Sequence, residues 1–291
     1  MRVLVTGARG KVGRRVVTAA LAAGHRVVAT DLGAPAYGPG DPAEARYVRA
    51  DLTDYGQTIA TVHVARPDVV VHTAGLPDPA HDPAHVVFAT NVTAAFHVAE
   101  AVARSGVGRL VYLSSETVPG FVTAERPFVP DYLPVDEDHP LRPQDGYALS
   151  KFVGEQICDA LVRRADVAAV SVRPSLVLTE DDYATFVPRL QRAPLRPFPN
   201  QWSYVDADDL ADLVVRAAAA TTTGHEVVYA ASPDNLLGAP LADLVAAAYG
   251  ADAPPLRELA RPDAGGIAIE RARQLFGWDP ERSWRDVVPT D

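Results

Sequence analysis

Tyr147-Ala148-Leu149-Ser150-Lys151 sets a phenol and an ammonium one helical turn apart, the spacing at which two side chains share a helix face. A phenol beside a cation is a pair suited to exchanging a proton with a substrate oxygen. Lysine occurs only at Lys11 and Lys151, arginine supplies every other basic side chain, and the chain holds 10 tyrosines. A chance Tyr-x-x-x-Lys pair is then expected about 0.07 times, which makes coincidence a weak account of it. An Arg-biased chain also has little reason to keep a lysine on an ordinary solvated face. Upstream, Leu113-Ser114-Ser115-Glu116 leaves a strand at its C-terminal end, the edge where open α/β sheets bind ligands.

Thr6-Gly7-Ala8-Arg9-Gly10-Lys11-Val12-Gly13 joins the first strand to the first helix. Gly7, Gly10 and Gly13 remove the Cβ where the backbone turns tightly, approaches a pyrophosphate and packs helix on sheet. The helix N-terminus offers unpaired N–H groups and partial positive charge to the same anion. Asp31 ends the second strand, where a carboxylate accepts both ribose hydroxyls of an adenosine and repels a 2′-phosphate, favouring NAD over NADP. Asp51-Leu52 after the third strand suits an adenine clasp and equally a turn-capping Asp.

The elements that position these groups alternate. Short β-branched runs at Val3–Thr6, Arg26–Thr30, Tyr47–Arg49, Val69–His72, Leu110–Ser114 and Ala168–Val172 predict strands buried on both faces. Helix-period stretches at Lys11–Ala23, Gln57–Ala65, Val86–Ser105 and Tyr147–Arg164 lie between them. The expected fold is α/β, a doubly wound, mostly parallel Rossmann-type sheet with right-handed connections. Gly33 to Glu44 and Pro119 to Gln144 read as long loops. Beyond Arg173 the rhythm breaks: Pro188, Pro194, Pro197 and Pro199 are expected to exclude long helices up to Trp202. Helices at Asp206–Ala220, Leu241–Tyr249 and Ile269–Phe276 and a strand at Glu226–Tyr229 follow. Residues 1–173 thus read as a dinucleotide-binding domain, and 174–291 as a smaller substrate lobe with elements returning to the main sheet.

Of 291 residues, 48% are hydrophobic and 22% charged, a globular balance. The net charge of −10 argues against nucleic acid or an anionic membrane surface as partner. The most apolar helix candidates, such as Leu210–Ala220 with Asp212 and Arg216, fall short of a bilayer span. A single cysteine, Cys158, leaves no internal disulfide and points to a reducing, cytoplasmic compartment. His81-x-x-x-His85 has metal-ligand spacing, yet Pro83 intervenes and no third ligand is evident, so no metal is expected.

Taken together the chain resembles the extended short-chain dehydrogenase/reductase superfamily, in its NAD-dependent epimerase/dehydratase branch. The carrying residues are the glycine turn, Asp31, Asp51-Leu52, His72-Thr73-Ala74-Gly75, Asn91, Ser114-Ser115, Tyr147 with Lys151, and Arg173-Pro174-Ser175. Tyr204-Val205-Asp206, Asp208-Asp209 and Phe276-Gly277-Trp278-Asp279-Pro280 continue it. The resemblance implies Tyr147 as general acid/base, Ser115 bonded to the reacting oxygen, and Lys151 on the nicotinamide ribose. An ammonium about 4 Å from the phenol, at an effective dielectric of about 20, is worth about 4 kcal/mol and would draw its pKa from about 10 toward 7. Gly7, Arg9, Gly10, Lys11, Val12, Gly13, Asp31, Asp51, Leu52, Ala74, Gly75, Asn91, Ser114, Tyr147, Lys151 and Pro174 are the implied cofactor contacts. Ser115, Glu116, Tyr147, Ser175, Arg189 and Trp202 are the implied substrate contacts. The third and fourth long helices imply a homodimer.

Departures from the family pattern bear on the substrate. Val118-Pro119-Gly120 lacks the tyrosine common after the serines, Leu176 replaces an asparagine frequent in nucleotide-sugar epimerases, and Glu116-Thr117 stands where dehydratases carry Asp-Glu. The interval from Ser175 to Asp206 is short for a nucleotide-diphosphate pocket. Gln201-Trp202-Ser203-Tyr204 with Asp206 is similar to the uronate dehydrogenase subgroup. Arg173, Arg189, Arg192 and Arg196 suit a carboxylate or phosphate, or are merely solvated. The expected activity is hydride transfer between NAD and a secondary alcohol or carbonyl of a small polar, sugar-like or anionic substrate. A nucleotide-sugar epimerase with tightly bound NAD is the rival enzyme, and a catalytically silent dinucleotide sensor the rival of another class.

Overall fold

The pleat of each strand sends successive side chains to opposite faces of a sheet, so that a continuous apolar run buries both. In the computed structural model, which describes residues 1–33, 45–77 and 81–288, this builds nine strands and eight α-helices among the described residues. In chain order they are β1 (Arg2–Thr6), α1 (Lys11–Ala22), β2 (Arg26–Asp31), β3 (Arg46–Arg49), α2 (Tyr55–Ala65), β4 (Val69–His72), α3 (Ala84–Arg104), β5 (Arg109–Leu113) and α4 (Gly146–Arg164). There follow β6 (Ala168–Pro174), β7 (Val177–Leu178), α5 (Glu180–Arg192), β8 (Val205–Asp206), α6 (Ala207–Ala219), β9 (His225–Ala230), α7 (Leu241–Tyr249) and α8 (Glu270–Phe276). The loop expected from Gly33 to Glu44 lies, from residue 34 onward, outside the described residues.

The main sheet has seven parallel strands in the order β3-β2-β1-β4-β5-β6-β9. Strand order reverses between β1 and β4, so the crevice outside their C-terminal ends is the place for a dinucleotide. Val3, Val5, Val71, Val111, Val170 and Val172 bury one face together with residues of α1 and α6. Leu4, Val70, Leu110 and Tyr112 bury the other beneath α2, α3 and α4. Because β9 pairs with β6 and α6 packs on α1, the C-terminal part of the chain completes the dinucleotide-binding fold. The 173/174 boundary falls inside β6. A third cluster of Leu178, Tyr183, Val187, Tyr204, Leu236 and Trp284 is the core of the lobe.

Beyond the short unexpected pair β7 and β8, two helices differ from the sequence expectation. The helix α5 runs through Pro188. Proline there removes one backbone hydrogen bond, a cost of about 3 kcal/mol. Thr179 and Asp182 form a reciprocal cap, acids fill the first turn, Arg189 and Arg192 close the last, and Tyr183 and Val187 are buried. Capping, dipole and burial together offset the proline. The second is α3, whose 21 residues are long and apolar enough to cross a membrane by length and composition. Its Val87, Ala94, Ala95, Val98 and Val102 are instead core residues under the sheet and beside α4. Pro83 sits at its N-cap, so His81 lies outside the helix that carries His85.

Candidate active site

The glycine turn sits at the strand-order reversal, and its glycines are there for space. Gly7 has φ +65°, and a Cβ on it would meet backbone atoms of Ala74 at 2.6 Å. On Gly13 a Cβ would fall 2.0 Å from the Gly7 carbonyl oxygen. Gly10 caps α1 without any side-chain hydrogen bond, and no acid lies in that first turn. The positive helix end therefore stays open to an anion, and the residues fit the pyrophosphate of a dinucleotide. Asp31 accepts from the Arg9 N–H (3.0 Å) and the Gly33 N–H (3.4 Å), holding its carboxylate over the turn where an adenosine ribose would lie. Gly13→Ala is expected to weaken NADH binding at least tenfold by fluorescence titration; an unchanged Kd would mean that the turn does not cradle the cofactor.

Across the crevice the chain continues with Gly75, where a Cβ would stand 3.1 Å from Asn91 Oδ1 and 3.7 Å from Lys151 Nζ. Asn91 accepts the Leu76 N–H (2.7 Å) and donates to the Leu76 carbonyl (3.1 Å) and Ser150 Oγ (3.2 Å). Its buried amide clamps the segment after β4 onto α4, so it positions that segment and is spent on protein groups.

Asp145 accepts the Tyr147 and Ala148 N–H groups, both at 2.9 Å, and so fixes the start of α4. Tyr147 is thereby held in the first turn of α4, with the Ser115 hydroxyl among the groups that act on its phenol. Ser115 Oγ accepts from the Thr117 N–H (3.2 Å) and hydroxyl (3.1 Å), which leaves its own proton for an oxygen in front of it. Lys151, 5% exposed, donates to the Leu113 carbonyl at 2.8 Å, with Nζ 5.7 Å from the Tyr147 ring centre. Burial draws the ammonium down to about 8.

The phenol behaves otherwise than expected. Burial pushes Tyr147 up to about 12, aided by the charges of Glu116 and Asp145 and opposed by the Ser115 hydrogen bond. The simple attraction assumed an ammonium about 4 Å away and no desolvation. Here Nζ is turned to a backbone carbonyl, and burial wins.

Beside Ser115, Glu116 is 6% exposed and accepts from Ser175 Oγ (2.6 Å) and Asn200 Nδ2 (3.5 Å). Burial raises it to about 8, so it holds its proton at neutral pH. The folded state then keeps a proton that the unfolded chain releases between about 4.5 and 8, and stability is lost as pH rises through that window. Glu116→Gln removes this titration. Its melting temperature is expected to fall less than that of the wild type between pH 5 and 8; parallel curves would contradict the assignment.

Under the site, Ser114 Oγ donates to Glu155 (2.6 Å), and Arg173 grips the same carboxylate through Nε and Nη2, each at 2.8 Å. Both charged side chains are 3% exposed, and Arg173 Nη1 also reaches Tyr229 Oη at 3.3 Å. Ser114 thus turns inward to this network, and Arg173 is spent on Glu155 instead of an anionic substrate.

Other expected contacts lie elsewhere. Trp202 is a core residue, 1% exposed, edge-on to Tyr249, because successive left-handed residues Gln201 and Trp202 fold its indole inward. Arg189 is exposed on α5 with Arg192, and Arg196 is exposed beyond it. Lys11 bonds Asp182 (3.1 Å) and the Val177 carbonyl (3.4 Å), tying α1 to α5. Asp51 caps its own turn through Thr53, and the Leu52 carbonyl meets His97. Pro174 gives its carbonyl to the Glu116 N–H (3.0 Å). Val12 follows Lys11 in the first turn of α1, half-buried. Glu155 and Asn200 carry no role in the sequence reading, and Thr117 enters it only as a departure from the dehydratase pattern. For Glu155, its place one helical turn after Lys151 was the available signal.

Among known proteins, the uronate dehydrogenase of Pseudomonas syringae pv. tomato is 29% identical over 234 residues, 80% of this chain and 75% of that one. A 3-diazoavenalumate denitrifying reductase from a Streptomyces species is 31% identical over 319 residues, 98% of each chain. The solved UDP-glucose 4-epimerase of Thermotoga maritima with UDP-glucose shares the fold, with TM-score 0.74 and 19% identity over 99% of this chain and 96% of that one. The NAD-dependent epimerase/dehydratase family model matches residues 3–230, spanning the glycine turn, Tyr147, Lys151 and the last strand of the sheet. The chain belongs to the NAD-dependent epimerase/dehydratase family, an enzyme family that works with NAD.

Proposed function

We propose that this NAD-dependent oxidoreductase oxidises a secondary alcohol, or reduces the matching carbonyl, of a small polyhydroxylated substrate, with Tyr147 as general acid/base. The observation that carries the reading is the convergence of Tyr147, Ser115 and Lys151 at the end of β5, beside a crevice whose glycine turn fits a pyrophosphate. When bound, NAD supplies the nicotinamide carbon that exchanges hydride with the substrate. Tyr147 takes the alcohol proton in oxidation and returns it in reduction, while Ser115 donates to the same oxygen. Lys151 stands beside Gly75 to hold the nicotinamide ribose.

The surroundings support hydroxyl recognition. Ser175, Glu116 and Asn200 lie together, and Asn200 Oδ1 is buried without a partner, an acceptor for a substrate hydroxyl. A retained Tyr-Lys pair speaks against a silent sensor. We also infer a cytoplasmic homodimer through α3 and α4, which expose Val86, Phe96 and Leu149; light scattering should give twice the chain mass.

A panel of sugars, sugar acids including uronates, and nucleotide sugars, followed by NADH absorbance, tests the reading. Net NADH formation with a sugar or sugar acid is expected. Interconversion of a nucleotide sugar without net turnover of added cofactor would make the chain an epimerase, and no reaction with any alcohol or carbonyl would overturn the proposal.

A further inference from the structure

We propose that Glu116, with Asn200, sets the substrate class: the carbon next to the reacting one carries a hydroxyl and not a carboxylate, so the reacting end of the substrate is that of a neutral polyol or sugar. This rests on the reading above and names its substrate more closely. Glu116 follows Ser115 in the chain, and its charge acts on the Tyr147 phenol. Its carboxyl thus stands beside the reacting oxygen, where the next carbon of a substrate brings its own substituent.

Three segments fix that carboxyl. The Glu116 N–H donates to the Pro174 carbonyl (3.0 Å), Ser175 Oγ donates to one carboxyl oxygen (2.6 Å), and Asn200 Nδ2 reaches the other (3.5 Å). Asn200 Nδ2 also donates to the Ser203 carbonyl (2.7 Å), so its amide donors are spent while Oδ1 is buried without a partner. A buried acceptor with nothing to accept calls for a donor. A hydroxyl has a proton to give it; a carboxylate has none.

Charge points the same way. Glu116 holds its proton at neutral pH and offers a hydrogen bond but no opposite charge; ionised, it repels a second carboxylate. The cations expected to meet an anion are committed or elsewhere. Arg173 grips Glu155, Lys151 is turned to the Leu113 carbonyl, and Arg189, Arg192 and Arg196 are exposed on α5 or beyond it. A carboxylate buried beside Glu116 would go uncompensated. A uronate, whose carboxylate lies at the far end of the sugar from its carbonyl carbon, still meets this rule.

The test pairs 1,2-propanediol with lactate, which differ by hydroxymethyl for carboxylate beside the same secondary alcohol. Each would be oxidised at that carbon, with hydride passing to NAD and the hydroxyl proton to Tyr147. The wild type is expected to favour the diol at least tenfold in kcat/KM, well inside what a site built for a hydroxyl can discriminate. Glu116→Ala should narrow that ratio, and Asn200→Ala gives the same reading should the first variant fail to fold. A wild-type ratio under tenfold, or one left unchanged by the substitution, would overturn the proposal. Binding of the two compounds to the NADH-loaded protein, followed by NADH fluorescence, separates this inference from the chemistry. Tighter binding of the diol, narrowed in the variant, upholds the role of Glu116 even if neither compound turns over, a result that would count against the chemistry alone. Equal binding, or none by either, would sink it.

Discussion

Tyr147→Phe is expected to lower kcat by about 10²–10⁴-fold, the usual worth of a positioned acid/base. NADH affinity should stay within about threefold, because the glycine turn and Asp31, not the phenol, hold the adenosine and pyrophosphate. The substitution removes one hydroxyl that Ser115 faces, so the melting temperature should move by little. A kcat within tenfold of the wild type would mean that another group moves the proton. The pH profile adds a sign. In the cofactor-free protein the phenol is pushed up to about 12 by burial. Oxidation, which needs the phenolate, should therefore accelerate with pH, close to tenfold per unit below the phenol pKa of the loaded enzyme. Reduction, which uses the neutral phenol, should stay flat across the same range. Tyr147→Phe should abolish the rise.

Glu155→Ala is expected to destabilise the fold by about 3–5 kcal/mol, the cost of stranding a buried charge. Arg173 would keep its guanidinium at 3% exposure with no carboxylate to answer it, and the Ser114 hydroxyl would lose its acceptor. At roughly 2–4 °C for each kcal/mol in a chain of this size, the melting temperature should drop by about 6–20 °C. Replacing Glu155 and Arg173 together with leucine and methionine should cost less than Glu155→Ala alone, because the pair costs desolvation energy that apolar groups do not. A drop of under about 2 °C for Glu155→Ala would show that water reaches Arg173 and that the network is not a foundation of the site.

Much of the architecture was legible because strands buried on both faces print as continuous β-branched runs. Val69–His72 and Leu241–Tyr249 come out residue for residue, and the other main-sheet strands shift by one or two residues. Helix α5 was hidden because proline is a local signal, whereas the Thr179–Asp182 cap and the burial of Tyr183 and Val187 are properties of the assembled chain. The apolar length of α3 is the same whether such a helix crosses a bilayer or lies under a sheet, and the burial that decides between them belongs to the assembled chain. In the site, residue types located Tyr147, Lys151, Ser115, Glu116 and Ser175 near the same edge, but not where each hydroxyl or charge is spent. Ser114 and Arg173 looked available until Glu155 took both. Trp202 was an implied contact through the similarity of Gln201-Trp202-Ser203-Tyr204 to the uronate dehydrogenase subgroup, yet with positive φ at Gln201 and Trp202 it lies in the core. The high phenol pKa was out of reach for the same reason: a spacing of four residues gives proximity, while desolvation depends on what else closes over the pair.

The most direct test of the whole account is a structure of the protein crystallised with NAD. The pyrophosphate should lie on the N-terminus of α1 over Gly10, the adenosine ribose on Asp31, and the nicotinamide ring beside Gly75 with its ribose on Lys151 and its reactive carbon facing the space between Tyr147 and Ser115. A nicotinamide lodged elsewhere, or a Tyr147 hydroxyl turned away from it, would contradict the assignment of this site as the place of hydride transfer.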